Sequence, residues 1–358
     1  MLKARAAVYS LKSYHPPLGN RQGLRLDFNE NTVGCSPRVL QRLQQLNFEE
    51  LARYPERDPG EAMVAKHLGV QPAELLLTNG TDEAIHLVCE TYLEPGDEAL
   101  ICTPTFAMYE IYAAATGARV IPVQAGEDFR FPTQDVLARV NECTRLIAVA
   151  NPNNPTGALA SRQDLLRIAT AAPQAALLVD EAYFEFSGET LMGEWRGLPN
   201  LFVSRTFSKA YGLAGLRIGV LGGNEDQMRL VRRVSSPYNL NSVALACLPD
   251  ALADGAYVQS YVDDVLRGRE RLENELGSLG IRYWPSRANF VLMHFGTSSP
   301  TFIAAMRERG ILVRDRSSDP GCAGCVRITL GAAEQNERLF KALSEVLEKI
   351  GITAKVNR

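Results

Sequence analysis

The 358 residues are 46% hydrophobic and 22% charged, the composition of an ordinary globular protein with ample core. Thirty-eight basic against 41 acidic residues give a formal net charge of −3, which argues against a nucleic-acid or anionic-membrane partner. The start, MLKARAAVYSLKSYHPP, has no apolar h-region and no apolar run reaches bilayer length, so the expected location is the cytoplasm.

The chain opens on a stretch rich in turn formers, HPPLGN, that reads as an arm over residues 1–30 rather than a core element. Short apolar runs then predict strands at 74–78 (ELLLT), 98–102 (EALIC), 119–123 (RVIPV), 145–150 (RLIAVA), 176–180 (ALLVD), 201–205 (LFVSR) and 217–221 (RIGVL). Amphipathic stretches predict helices at 81–93, 105–116, 133–140, 161–171 and 209–214. That alternation implies an α/β fold: a large domain, 31–245, with a mostly parallel seven-stranded sheet covered by helices on both faces. Beyond about 224 an interrupted helical stretch to 276 precedes IRYWPSRANFVLMHF, ILVRD and VRITLG, and a last helix follows. This predicts a smaller α/β domain over 246–358. Seven scattered cysteines read as reduced thiols. Cys322 and Cys325 have C-x-x-C spacing, but the four histidines are dispersed and no second such pair exists, so no metal is expected.

In such sheets ligands bind beyond the carboxyl ends of the strands. After ELLLTN, Gly80 permits a tight turn while Thr81 and Asp82 open a helix whose free N–H groups suit a phosphate; a plain N-cap is the competing reading. After EALICTP, Phe106 or Tyr109 is available to stack on a planar ligand, although aromatics at helical spacing are more often core. After RLIAVA comes NPNNPTG, which puts Asn154 and two other amides on a proline-stiffened turn suited to orienting a polar ligand. Asp180 ends an apolar strand, where a carboxylate needs a cationic partner, and Tyr183 follows within one turn. After LFVSR, the segment TFSKAYGLAGLRIG groups Thr206, Ser208, Lys209 and Arg217; a lysine buried beside other cations becomes a nucleophile toward carbonyls. Phosphate donors, a stacking ring, an amide, a phenol, a carboxylate and an amine together match pyridoxal 5′-phosphate (PLP), whose enzymes hold it on a lysine opposite an acidic partner.

The order NEN, RYP, GTDEAI, NPNNPTG, DEAYFEF, TFSKAYGLAGLRIG, ANFVL, VRITLG resembles the fold-type I aminotransferases of class I/II, nearest their histidinol-phosphate branch, over almost the whole chain. The resemblance implies that Lys209 carries the cofactor as a Schiff base and shuttles the proton. It implies that Asp180 faces the pyridine nitrogen, that Asn154 and Tyr183 bond the ring oxygen, and that Phe106 stacks. Gly80, Thr81, Asp82, Thr206, Ser208 and Arg217 surround the phosphate on the same grounds. Tyr54 of RYP would reach the neighbouring subunit's cofactor in a homodimer, and Tyr14, Arg314 and Arg327 would hold the anionic end of the substrate. The implied reaction moves an amino group from an amine, L-histidinol phosphate, to 2-oxoglutarate. An aromatic amino acid aminotransferase, a threonine-phosphate decarboxylase and a ligand-sensing domain are the alternatives. Two departures bear on the substrate: Thr32 and Val33 follow NEN where a proline and an aromatic are usual, and Phe106 stands where a tyrosine is common.

Overall fold

The computed structural model describes residues 2–15, 19 and 22–352; Pro16, Pro17, Leu18 and Asn20 of the HPPLGN stretch lie outside them. Strand β1 (Leu24–Arg25) comes first. Seven strands follow: β2 (Leu75–Thr78), β3 (Glu98–Thr103), β4 (Arg119–Gln124), β5 (Thr144–Ala150), β6 (Ala176–Asp180), β7 (Leu201–Thr206) and β8 (Gly219–Gly223). They form one sheet in the order β2-β8-β7-β6-β5-β3-β4, in which β8 runs antiparallel to both neighbours and the other pairings are parallel. The expected mostly parallel seven-stranded sheet is therefore present.

Strand periodicity explains why these runs lack polar alternation. Leu75, Leu77, Val149, Leu177, Val179, Leu201 and Val203 enter one core, while Leu76, Ile101, Leu146, Leu178, Phe202 and Leu221 enter the core on the opposite face. Both faces are covered by helices, so successive side chains alternate between two apolar environments. Each buried leucine contributes about 1.5–3 kcal/mol.

The second sheet contains β9 (Tyr283–Trp284), β10 (Phe290–His294), β12 (Arg314–Asp315) and β13 (Cys325–Thr329) in the antiparallel order β12-β13-β10-β9. A third core lies between this sheet and the helices Gly255–Ser278 and Ala333–Lys349.

Four local expectations give way. The segment approaching Asn31 is not a free arm, because β1 pairs in parallel with β11 (Ile311–Leu312) and Leu24 and Leu26 are buried in the third core. The helix Ser242–Ala253 crosses residue 245 and buries Ala244, Cys247, Leu248 and Ala251 with the large sheet. No helix forms at 209–214; Gly212 has φ 70° and the chain turns, closed by Gly212 N–H to Lys209 C=O at 3.2 Å. The last large strand starts at Gly219 rather than 217, since Arg217 itself has φ 53° and breaks extended pairing.

Candidate active site

All five expected sites lie at one edge of the large sheet. Register brings Asp180 beside Ala150 on β5 and Ser204 on β7. The Asp180 side chain is 4% exposed, with Oδ2 accepting from Tyr109 Oη at 2.7 Å and Oδ1 from Ser204 Oγ at 2.9 Å. Burial pushes its carboxyl up to about 6, against the lowering pull of those two hydrogen bonds. A cation placed against it would remove that desolvation penalty.

Strand β7 ends at Thr206, whose Oγ1 accepts from Ser208 N–H at 3.1 Å. This turn delivers Lys209, with Nζ 3.4 Å from Phe28 C=O and 5.9 Å from the Tyr183 ring centroid. Gly212 is required by space as well as by φ, because a Cβ there would come within 2.5 Å of the Gly34 carbonyl. Arg217 reaches back to Asp82, Nη2 to Oδ2 at 2.9 Å. Its guanidinium lies over Gly80, where a Cβ would meet Nη2 at 2.6 Å. Asn79 makes no side-chain cap for the helix Gly80–Tyr92, and Thr81 and Asp82 sit inside its first turn. The helix therefore presents its first N–H groups and its positive end to the same space.

Thr81, Asp82, Phe106, Asp180, Lys209 and Arg217 bound a cavity of about 290 Å³. Phe106 meets Tyr109 edge-on, with ring centroids 6.0 Å apart. A wider cavity of about 820 Å³ adjoins it through Asn154, Tyr183 and Lys209 and reaches Tyr14, Arg314 and Arg327. Arg327 is 4% exposed; Nη2 donates to Asp27 C=O at 2.7 Å, Nη1 donates to Asn154 Oδ1, and Nε is buried without a partner. Burial, with Arg316 close by, draws its guanidinium down to about 9. Arg314 Nη1 is likewise buried without a partner, and the guanidinium carbon lies 5.1 Å from the Phe28 ring centroid. Buried, unpaired donors of this kind call for an anion.

Tyr54 is 75% exposed, stacks on Tyr238 at 4.2 Å and lines neither cavity. Cys322 and Cys325 are buried in a small apolar cluster with Phe129, Trp284 and Leu292. Ser204, Asn29, Arg316 and Asp319 were missed by sequence reasoning, and Tyr109 was noted only as a stacking candidate. Ser204 sits in β7 next to Arg205 and Thr206, so the local pattern does not single it out; only its pairing opposite Asp180 does. Arg316 pairs with Asp319 on the wall of the wider cavity; nothing in the local pattern distinguishes that pair from surface charges.

The donor set fits PLP: a tight phosphate cradle that a Cβ on Gly80 would fill, a buried carboxylate, a ring face and an amine on one cavity wall. Comparison agrees. The family model for aminotransferase class I and II matches residues 21–343, and the chain belongs to that family. It is a PLP-dependent aminotransferase. A histidinol-phosphate aminotransferase of Thermoanaerobacter pseudethanolicus is 35% identical over 328 residues, covering 90% of this chain and 93% of that relative. Among solved structures, histidinol-phosphate aminotransferase from Sinorhizobium meliloti in complex with pyridoxal 5′-phosphate has a TM-score of 0.86 at 24% identity, covering 98% of this chain and 99% of that one. L-threonine-O-3-phosphate decarboxylase from Porphyromonas gingivalis has a TM-score of 0.78 at 27% identity, covering 91% of this chain and 99% of that one.

Proposed function

We propose that the chain transfers the amino group of L-histidinol phosphate to 2-oxoglutarate, a step of histidine biosynthesis, with Lys209 as the amine that carries PLP. The observation that carries this reading is the pair of buried arginines, Arg314 and Arg327, with unpaired N–H groups in the cavity that Lys209 enters. A planar guanidinium fork suits a phosphate monoester and a carboxylate alike, so the same residues can hold each substrate in turn.

When bound, PLP supplies an aldehyde and a ring that accepts the electrons left on the substrate's α-carbon. Asp180 keeps a proton on the pyridine nitrogen by opposing its positive charge. Asn154, whose Oδ1 is already committed to Arg327, has Nδ2 left that would donate to the ring oxygen, and Tyr183 Oη would be the second donor. Phe106, on the cavity wall, would supply the apolar surface for the ring. Thr81, Thr206, Ser208, Arg217 and the helix N–H groups after Asn79 hold the phosphate, and Asp82 keeps Arg217 in place. Lys209 Nζ, in the same cavity, would be the base that takes the proton from the substrate's α-carbon and holds it for return. Tyr14 closes the substrate end.

The protein works as a cytoplasmic homodimer in this account, with exposed Tyr54 completing the partner's phosphate site. In this account the chain divides into a large unit and a small unit, with the boundary moved from 245 to Asp254 because the helix Ser242–Ala253 packs with the large sheet, and the segment 24–26 is part of the small unit's core. Among the described residues no helix is long and apolar enough to cross a membrane.

The likeness to a threonine-phosphate decarboxylase supports a second reading, since the same arginines suit phosphothreonine. Single-turnover reaction of the holoenzyme with L-histidinol phosphate, phenylalanine and phosphothreonine separates them. The proposal expects L-histidinol phosphate to react fastest and to give a keto product. Carbon dioxide released from phosphothreonine as the fastest reaction would establish the decarboxylase, and fastest turnover of phenylalanine would establish the aromatic transaminase.

A further inference from the structure

Asn29 stands at a junction of the fold that the reaction chemistry above leaves unused. It is 1% exposed and adopts φ 55°, a left-handed conformation that asparagine tolerates better than most residues. Its backbone N–H donates to Thr329 Oγ1 at 3.1 Å, and its C=O accepts from Asn289 Nδ2 at 3.2 Å. Its side chain spans two partners, with Oδ1 3.0 Å from Thr329 Oγ1 and Nδ2 2.9 Å from Tyr183 Oη. Thr329 and Tyr183 are buried too, at 0% and 5% exposure.

The direction of the bonds in this chain follows from which amide orientation leaves no buried donor without an acceptor. The Thr329 hydroxyl has one hydrogen and already accepts the Asn29 N–H. The hydroxyl has a second lone pair that a flipped amide could donate to, but that would leave the buried Thr329 hydrogen without an acceptor among its contacts; with Oδ1 facing it the hydrogen is satisfied, which sets the amide with Nδ2 toward Tyr183. Tyr183 Oη is thereby made an acceptor on the Asn29 side. Its single hydrogen is directed away from Asn29, toward the cavity that Tyr183 shares with Lys209 and Asn154. With the amide turned over, Oδ1 would claim that hydrogen and the phenol would offer the cavity only a lone pair.

We infer that Asn29 is a positioning residue: locked by Thr329, it aims the Tyr183 hydroxyl hydrogen at the ring oxygen of the cofactor. The inference rests on the reading that Tyr183 donates to that oxygen. It also gives the NEN segment a physical task. The segment joins the strand that carries Arg327 and Thr329 to the residue that touches the cofactor, so the substrate arginine and the ring contact share one buried network.

The test reads the pH midpoint of the visible cofactor absorbance in the holoenzyme, which reports the proton beside the ring oxygen. Donation to that oxygen weakens its hold on the proton, so losing the donor raises the midpoint. Tyr183→Phe is expected to raise it by about one pH unit. Asn29→Asp replaces the Nδ2 donor with an oxygen that takes the phenol hydrogen, and is expected to raise it by a similar amount. In the Tyr183→Phe background, Asn29→Asp adds at most about a third of that, the direct effect of its charge. Asn29→Gly, which accepts the same φ, is expected to raise the midpoint by about half a unit, again only where Tyr183 is present. It reads the same coupling if the aspartate variant loses its cofactor. Shifts of equal size in both backgrounds, or no shift in either Asn29 variant, would overturn the inference while leaving the role of Tyr183 intact. A Tyr183→Phe midpoint equal to the native one would sink both.

Discussion

Replacing Gly80 with alanine tests whether the phosphate cradle is built as described. The added Cβ meets Arg217 Nη2 at 2.6 Å, and the residue must hold φ 75°. The backbone strain costs about 1–2 kcal/mol for an L-residue. The clash moves Arg217, whose pairing with Asp82 is half-exposed and contributes at most about 1 kcal/mol to stability. The larger consequence falls on the cofactor. A charge-assisted hydrogen bond from arginine to phosphate contributes about 1.5–3 kcal/mol, so PLP affinity should fall by about 10- to 100-fold. Gly188→Ala is the matched control, because Gly188 has φ 73° and nothing within 4 Å of its added Cβ. Both variants should lose similar thermal stability as apoenzymes, and only Gly80→Ala should lose affinity when PLP is titrated back by its absorbance. Equal PLP affinity in the two variants would refute the cradle.

Three further outcomes are expected. In the apoenzyme, burial raises the Asp180 carboxyl from 3.8 to about 6, so its contribution favours folding below pH 4 and is lost as pH rises through 6. Denaturant titrations of native and Asp180→Asn apoenzyme should therefore show a stability difference that changes by about 2 kcal/mol between pH 4 and 7; a pH-independent difference would contradict the buried carboxylate. Arg314→Ala should raise KM for L-histidinol phosphate by about 10- to 100-fold while PLP affinity stays unchanged, since Arg314 borders only the wider cavity. Lys209→Ala should be inactive, and Tyr54→Ala nearly so at PLP concentrations that saturate only the native site; co-assembled under those conditions they should recover up to about a quarter of native activity, because half of random dimers carry one intact site; no recovery would refute sites shared between subunits.

Most of the frame was readable because apolar runs ending in polar clusters mark strands buried on both faces with a ligand at their carboxyl ends. Lys209, Asp180 and Asn154 were picked out that way, each just beyond or at the end of such a run, and the structure brings all three to the wall of one cavity. The segment 209–214 misled because small and apolar residues there have helical spacing. Gly212 instead turns the chain at φ 70°, outside the right-handed helix, and packs so close to Gly34 that a Cβ would clash with its carbonyl, a tertiary requirement that no local spacing encodes. Arg217 misled at its own strand for a similar reason, since its positive φ serves the contact with Asp82 and Gly80. Asn29 was quoted as part of NEN, yet its partners lie 154 and 300 residues away, a separation no local pattern encodes. Ser204 depended on register, because only the pairing of β6 with β7 sets it against Asp180.

The central claim is that Lys209 is the amine that holds PLP. Reduction of the holoenzyme with borohydride, followed by peptide mapping by mass spectrometry, tests it at residue resolution. One pyridoxyl-phosphate adduct per chain is expected, on the peptide containing Lys209. An adduct on another lysine, or none on a protein that carries PLP, would contradict it.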